Sequence, residues 1–256
     1  MPEEPAAAPA LEFVGLAKAY AGRWVVDHLS LAISRGSLYG LVGPNGAGKT
    51  TTLSMATGLL RPDAGTARVL GVDVWADPPH AKSLMGIAPD GLRLFDQLSG
   101  RELLTYVGAL RKMPGDVVAA RAEELLTVLG LAGDADVIVA DYSAGMTKKV
   151  GLACAMIHAP RVLLLDEPFE AVDPVSGQTI RSILRGFVGG GGTVVMSSHV
   201  MELVEGLCDH VAVVAGGRIL AAGPTETIRD GRPLHERFIE LVGGSPDLQG
   251  LSWLGS

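Results

Sequence analysis

The chain has 256 residues and a formal net charge of −7, long enough for one large or two small domains with a substantial buried core. Apolar residues make up 48% and aromatic residues only 5%, so the core is mainly Ala, Val, Leu and Ile, as suits a parallel sheet covered on both faces. The acidic balance and the lack of a basic stripe lean against a nucleic-acid backbone as the main partner, and no apolar run reaches the roughly 18 residues that would span a membrane.

Residues 1–10 carry Glu3 and Glu4 where a signal peptide needs positive charge, and they read as a disordered lead-in. Between 11 and 41 the pattern is β-rich, with strands predicted at 11–14 and 29–33 and turns at Ala21-Gly22 and Arg35-Gly36, which gives a small antiparallel layer. Tyr20 lies in that layer, either as an exposed ring able to stack on a base or as an ordinary half-buried strand aromatic.

An apolar strand at 38–42 then runs into Gly43-Pro44-Asn45-Gly46-Ala47-Gly48-Lys49-Thr50-Thr51, followed by a predicted helix over 51–60. The stretch fits G-x-x-x-x-G-K-[ST], a phosphate cradle. Gly43, Gly46 and Gly48 let backbone N–H groups approach an anion, with Asn45 and Thr51 completing the loop and the helix start adding its dipole. Lys49 is expected against β- and γ-phosphates, and the Thr50 hydroxyl on Mg²⁺.

A turn at 61–65, a strand at 66–70, a helix at 78–85 and a strand end at 86–89 follow, and the chain then becomes helical between 90 and 160. Ser99-Gly100-Arg101-Glu102 is a capping-box pattern that opens a helix with Leu103, Leu104, Val107 and Leu110 on one side; further helices are predicted at 116–129 and 144–158. This reads as a helical insertion into an α/β core.

The core resumes at 162–165, an apolar strand that delivers Asp166 and Glu167 at its C-terminal end, where ligands of doubly wound sheets sit. Asp166 is expected in a Mg²⁺ shell, and Glu167 as the group that orients and deprotonates, or at least polarises, the attacking water. Asp173-Pro174 reads as an N-cap followed by Pro at the first helical position, opening a helix to about 188, and it can at the same time place a carboxylate near the site. A strand at 193–196 is followed by Ser197-Ser198-His199, where the imidazole is either an ordinary polar residue at a strand end or a γ-phosphate contact, whereas His210 reads as a surface residue before a hairpin of 211–214 with 218–221. Cys154 and Cys208 have no metal-ligand spacing and read as small buried hydrophobes. The end of the chain holds a predicted helix at 233–242 and a tail, 245–256, containing Trp253.

In this order, Tyr20, the cradle, a strand ending in Pro89, Tyr142-Ser143-Ala144-Gly145-Met146, Asp166-Glu167, Asp173 and His199 resemble the nucleotide-binding subunit of ATP-binding cassette (ABC) transporters. The resemblance implies an α/β fold: a P-loop NTPase core with a parallel sheet, an N-terminal antiparallel β layer and an inserted helical subdomain. It covers 11–230, with the insertion at about 90–160 and a C-terminal helix and tail at 231–256. It implies ATP and Mg²⁺ as ligands, Tyr20 stacked on adenine, His199 as a γ-phosphate switch and Asp173 at a junction between two subunits. It further implies that two such subunits pair head to tail, with Ser143 and Gly145 of each closing on ATP held by the other, on the cytoplasmic face of the membrane beside a separate membrane-spanning permease. If Ser143 caps the helix that starts at Ala144, its hydroxyl, the Gly145 N–H and the helix dipole can all face a phosphate.

Two departures from the family pattern stand out. The LSGGQ signature has become Tyr142-Ser143-Ala144-Gly145-Met146, a variant that resembles exporter ATPases. Asp90 stands where the family usually has Gln; it can accept a hydrogen bond or reach the metal shell, and it adds negative charge near Asp166 and Glu167. The permease is expected to dock by Asp90, Phe95 and Leu98. The alternatives are a soluble ABC-type ATPase acting on ribosomes or nucleic acid, and a nucleotide-binding regulatory module that does not hydrolyse.

Overall fold

A computed structural model describes residues 8–91 and 95–243. Two sheets form the frame. The first is antiparallel, in the order β2-β1-β4-β5, built from β1 (Leu11–Tyr20), β2 (Arg23–Ile33), β4 (Ala64–Val69) and β5 (Val72–Asp73). The second, in the order β10-β9-β3-β8-β7-β6, contains β3 (Leu38–Val42), β6 (Met85–Ala88), β7 (Val162–Leu165), β8 (Thr193–Ser198), β9 (His210–Ala215) and β10 (Arg218–Pro224); only the β9–β10 hairpin is antiparallel.

The central strands bury both faces, with successive residues pointing to opposite sides. Leu38, Val42, Leu163, Leu165, Val194, Met196, Val211 and Val213 join a core under the helices, and Tyr39, Leu41, Val162, Leu164, Val195 and Ala212 join a second core with Leu11, Phe13 and Leu16 of β1. The strand at 66–70 thus belongs to the antiparallel layer as β4, pairing Leu11 with Val69. Ala10, expected in the lead-in, is instead fully buried, and its N–H donates to the Ile33 carbonyl at 2.8 Å.

Helix α1 (Lys49–Ala56) follows the cradle and is shorter than expected, and α2 (Pro78–Leu84) leads into β6. The insertion comprises α3 (Gly100–Leu110), α4 (Gly115–Val128) and α5 (Ala144–Met156). The expected capping box is present: Glu102 N–H donates to Ser99 Oγ at 3.2 Å and Ser99 N–H to Glu102 Oε2 at 2.9 Å. Beyond β7 come α6 (Pro174–Gly189), α7 (Met201–Leu207), α8 (Thr225–Arg229) and α9 (Leu234–Leu241). Helix α7 was not expected; it is only two turns long and lies against β3 at Gly40, where a Cβ would come within 2.5 Å of Val204 Cγ1. The tail with Trp253 lies outside the described residues.

His210 departs from the surface reading: its ring stacks on Tyr39 at 5.9 Å and its buried Nδ1 has no hydrogen-bond partner. His158, just beyond α5, sets its Nε2 3.0 Å from the Met85 carbonyl, so Nε2 is the protonated nitrogen. Burial, reinforced by the nearby Arg111 and Arg121 charges, pushes its pKa from 6.5 down to about 4. Between those two values the unfolded chain binds a proton here that the folded chain refuses, so stability falls as pH falls through that window. Urea midpoints between pH 7 and pH 4 should therefore drop less steeply for His158→Gln, by about one proton taken up on unfolding.

Candidate nucleotide site

The cradle is shaped by close backbone approaches. A Cβ on Gly43 would lie 2.1 Å from the Val214 carbonyl oxygen, and Gly48, at φ 100°, would set one 2.5 Å from that of Val25. Gly48 also caps α1 through its backbone alone, so the first N–H groups of the helix have no side-chain acceptor and face the loop. A cleft of about 360 Å³ opens there, bringing residues 45–51 together with Asp90, Glu167, Glu170 and His199. Of the expected residues, Asn45, Gly46, Gly48, Lys49, Thr50, Thr51, Asp90, Glu167 and His199 line this one cleft.

Lys49 is buried, 6% exposed, and its Nζ donates to the carbonyls of Gly43 at 2.8 Å and Pro44 at 3.3 Å. The same Nζ lies 3.6 Å from Glu167 Oε1, while Glu167 Oε2 is 3.1 Å from His199 Nδ1. Glu167 therefore stands between two cationic or donor groups, held by both. Its backbone is unusual, with φ 46°, the left-handed region that a residue with a side chain enters at a cost. The N–H of Glu167 donates to Ser197 Oγ at 2.9 Å, and Ser197 in turn donates to Asp166 Oδ1. Ser197 is a candidate site residue to which the sequence assigned no role; its signal was a buried hydroxyl directly after the apolar run Val194-Val195-Met196.

Asp90 lines the cleft, and its Oδ1 is paired with Lys148 Nζ at 3.0 Å. The charge it adds beside Glu167 is thus met by a cation from α5, a partner the sequence reading did not supply. Phe95 is exposed and packs edge-on against Tyr106 at 4.9 Å, whereas Leu98 is half-buried against the helical core and offers little surface for docking.

Six expected residues do not line the cleft; Gly43 is tied to it through Lys49 and Asp166 through Ser197 and Glu167, and the other four stand apart. Tyr20 is 50% exposed at the end of β1, with Lys18 Nζ 5.8 Å from its ring centre. Ser143 does cap α5, accepting from the Met146 N–H at 3.2 Å, and its side of the helix start is open. Gly145 is buried: a Cβ there would fall 2.8 Å from Asp173 Oδ2 and 2.9 Å from Ser176 Oγ. Asp173 caps α6 by accepting from Val175 and Ser176 N–H groups, and the bonds from Ser176 hold its carboxyl below the usual range. Tyr142, at the signature's first position, buries its ring and donates from its hydroxyl to the Asp134 carbonyl at 2.8 Å, tying the signature loop to the insertion.

A family model described as ABC transporter matches residues 26–170, more than half of the chain. The chain belongs to the ABC transporter family. It is an ABC-type ATPase, and its relatives include ATP-binding proteins named for drug resistance and for export. Daunorubicin/doxorubicin resistance ATP-binding protein DrrA of Streptomyces peucetius is 36% identical over 86% of this chain and 67% of its own. Nod factor export ATP-binding protein I of Sinorhizobium fredii is 36% identical over 93% and 69%. Among solved structures, an ATP-binding subunit of an ABC transporter superposes with a TM-score of 0.84 at 26% identity, covering 91% of this chain and 99% of that one. The expected P-loop core with its parallel sheet, antiparallel layer and helical insertion is the fold observed.

Proposed function

We propose that this ABC-type ATPase works as a head-to-tail pair on the cytoplasmic face of a membrane, driving export through a separate membrane-spanning permease. The observation that carries the pairing is the position of the signature: Ser143 presents an open, side-chain-capped helix start that does not line the chain's own phosphate cleft. A second copy, or another ABC subunit, would bring that helix start to the γ-phosphate. Asp173, at the neighbouring helix start, fits the junction between subunits, and the exposed ring of Tyr20 fits adenine stacking. Export follows the relatives, one of which carries the word in its name. No described helix is long and apolar enough to cross a membrane, which suits a permease on another chain.

Mg²⁺ suits the donors on offer. Among the described residues no group of three or more His, Cys, Asp or Glu forms a protein cage, and Mg²⁺ is commonly held by one or two protein oxygens plus substrate phosphates. The Thr50 hydroxyl and an Asp166 oxygen would hold it; Asp90, expected in the same shell, has an oxygen engaged by Lys148. When bound, the ion neutralises charge between the phosphates. Lys49 leaves the Gly43 carbonyl and Glu167 to meet those phosphates. The Glu167 carboxylate is then held by His199 alone, and Oε1 is free to accept a proton from water.

With ATP, the Glu167→Gln chain should double in mass by light scattering and hold an integral membrane protein in detergent extracts. A chain that stays monomeric with ATP, or one recovered on ribosomes, overturns this reading.

A further inference from the structure

Lys148 makes two bonds that phosphate binding does not account for. From the early turns of α5 its Nζ donates to Asp90 Oδ1 at 3.0 Å and to the backbone carbonyl of Glu167 at 3.0 Å. One ammonium thus joins the insertion, the loop after β6 and the turn after β7. The carbonyl it holds belongs to the residue with φ 46°, whose N–H is fixed by Ser197. Lys148 and Ser197 therefore grip the backbone of Glu167 from its two ends. Asp90 meanwhile puts a carboxylate on the wall of the phosphate cleft, where an uncompensated charge would repel both phosphates and Glu167.

We propose that Lys148 is a positioning residue for hydrolysis: from α5 it fixes the backbone of Glu167 and neutralises Asp90 at the edge of the phosphate cleft. The inference rests on the assignment of Glu167 as the base. The Lys148 and Asp90 side chains are 25% and 41% exposed, so their pairing adds little to folding stability and its effect belongs to turnover.

In the full chain, Lys148→Met should lower kcat for ATP about tenfold while KM stays within about twofold. Adding Asp90→Asn should recover part of that loss, about threefold or more, because the stranded charge is gone; such recovery also rules out misfolding as the cause. The inference is overturned if Lys148→Met keeps kcat within about twofold of the parent, if the loss appears as a raised KM, or if the double variant is no faster than Lys148→Met. Glu167→Gln, assayed alongside, separates the two claims. If it still hydrolyses ATP at the parental rate, the base assignment fails and Lys148 with it; if it is inactive while Lys148→Met matches the parent, only the role of Lys148 fails.

Discussion

Glu167→Gln should lower ATP hydrolysis by about 10²- to 10⁴-fold, the range of a lost general base, while ATP still binds. Gln preserves the shape and can keep a contact to His199, but it cannot accept a proton from water. The ion-pair geometry adds a second, opposite expectation for binding. Glu167 Oε1 lies 3.6 Å from Lys49 Nζ, so the carboxylate competes with phosphate for that ammonium. Removing its charge releases Lys49, and ATP affinity should rise modestly, by about two- to tenfold. Phosphate release and titration with a fluorescent ATP analogue measure the two effects separately. A variant that loses hydrolysis and binding together would contradict the assignment.

Lys49→Met should weaken ATP binding by about 10- to 100-fold, the worth of a charge-assisted hydrogen bond in a water-poor site. It also removes the donor now held by the Gly43 and Pro44 carbonyls and leaves Glu167, whose side chain is 12% exposed, without its buried cation. Stability should therefore fall by about 1–3 kcal/mol. Combining Lys49→Met with Glu167→Gln should restore much of the stability and none of the ATP affinity. Urea unfolding and analogue titration on the single and double variants check both halves. A double variant as unstable as Lys49→Met would show that the loop carbonyls, and not Glu167, account for the loss.

The parts of this site that can be read in the sequence are those that local chain geometry dictates. The cradle is contiguous, Gly43 and Gly48 are demanded by close backbone approaches and Gly46 by its φ of 80°, and the Ser99 and Ser143 caps need only a hydroxyl at a helix start. Asp166 and Glu167 follow from an apolar strand that ends in two acids. Pairings across the fold leave no such mark. Lys148 reaches Asp90 across 58 positions, and nothing in either neighbourhood announces the other. The same holds for β4, whose alternation reveals a strand but not the sheet it joins, and for His210, whose stacking partner Tyr39 lies on β3. Leu98 shows the remaining gap, since an apolar residue in a loop reads equally as docking surface or as core.

The missing side chain at Gly145 fixes more than a packing distance. With Asp173 and Ser176 pressed onto its Cα, the start of α5 has no room to slide or turn against the start of α6. Ser143 and Asp173 therefore travel as one stiff edge. If two subunits close as proposed, a displacement of either residue carries the other with it, like two teeth cut on a single gear.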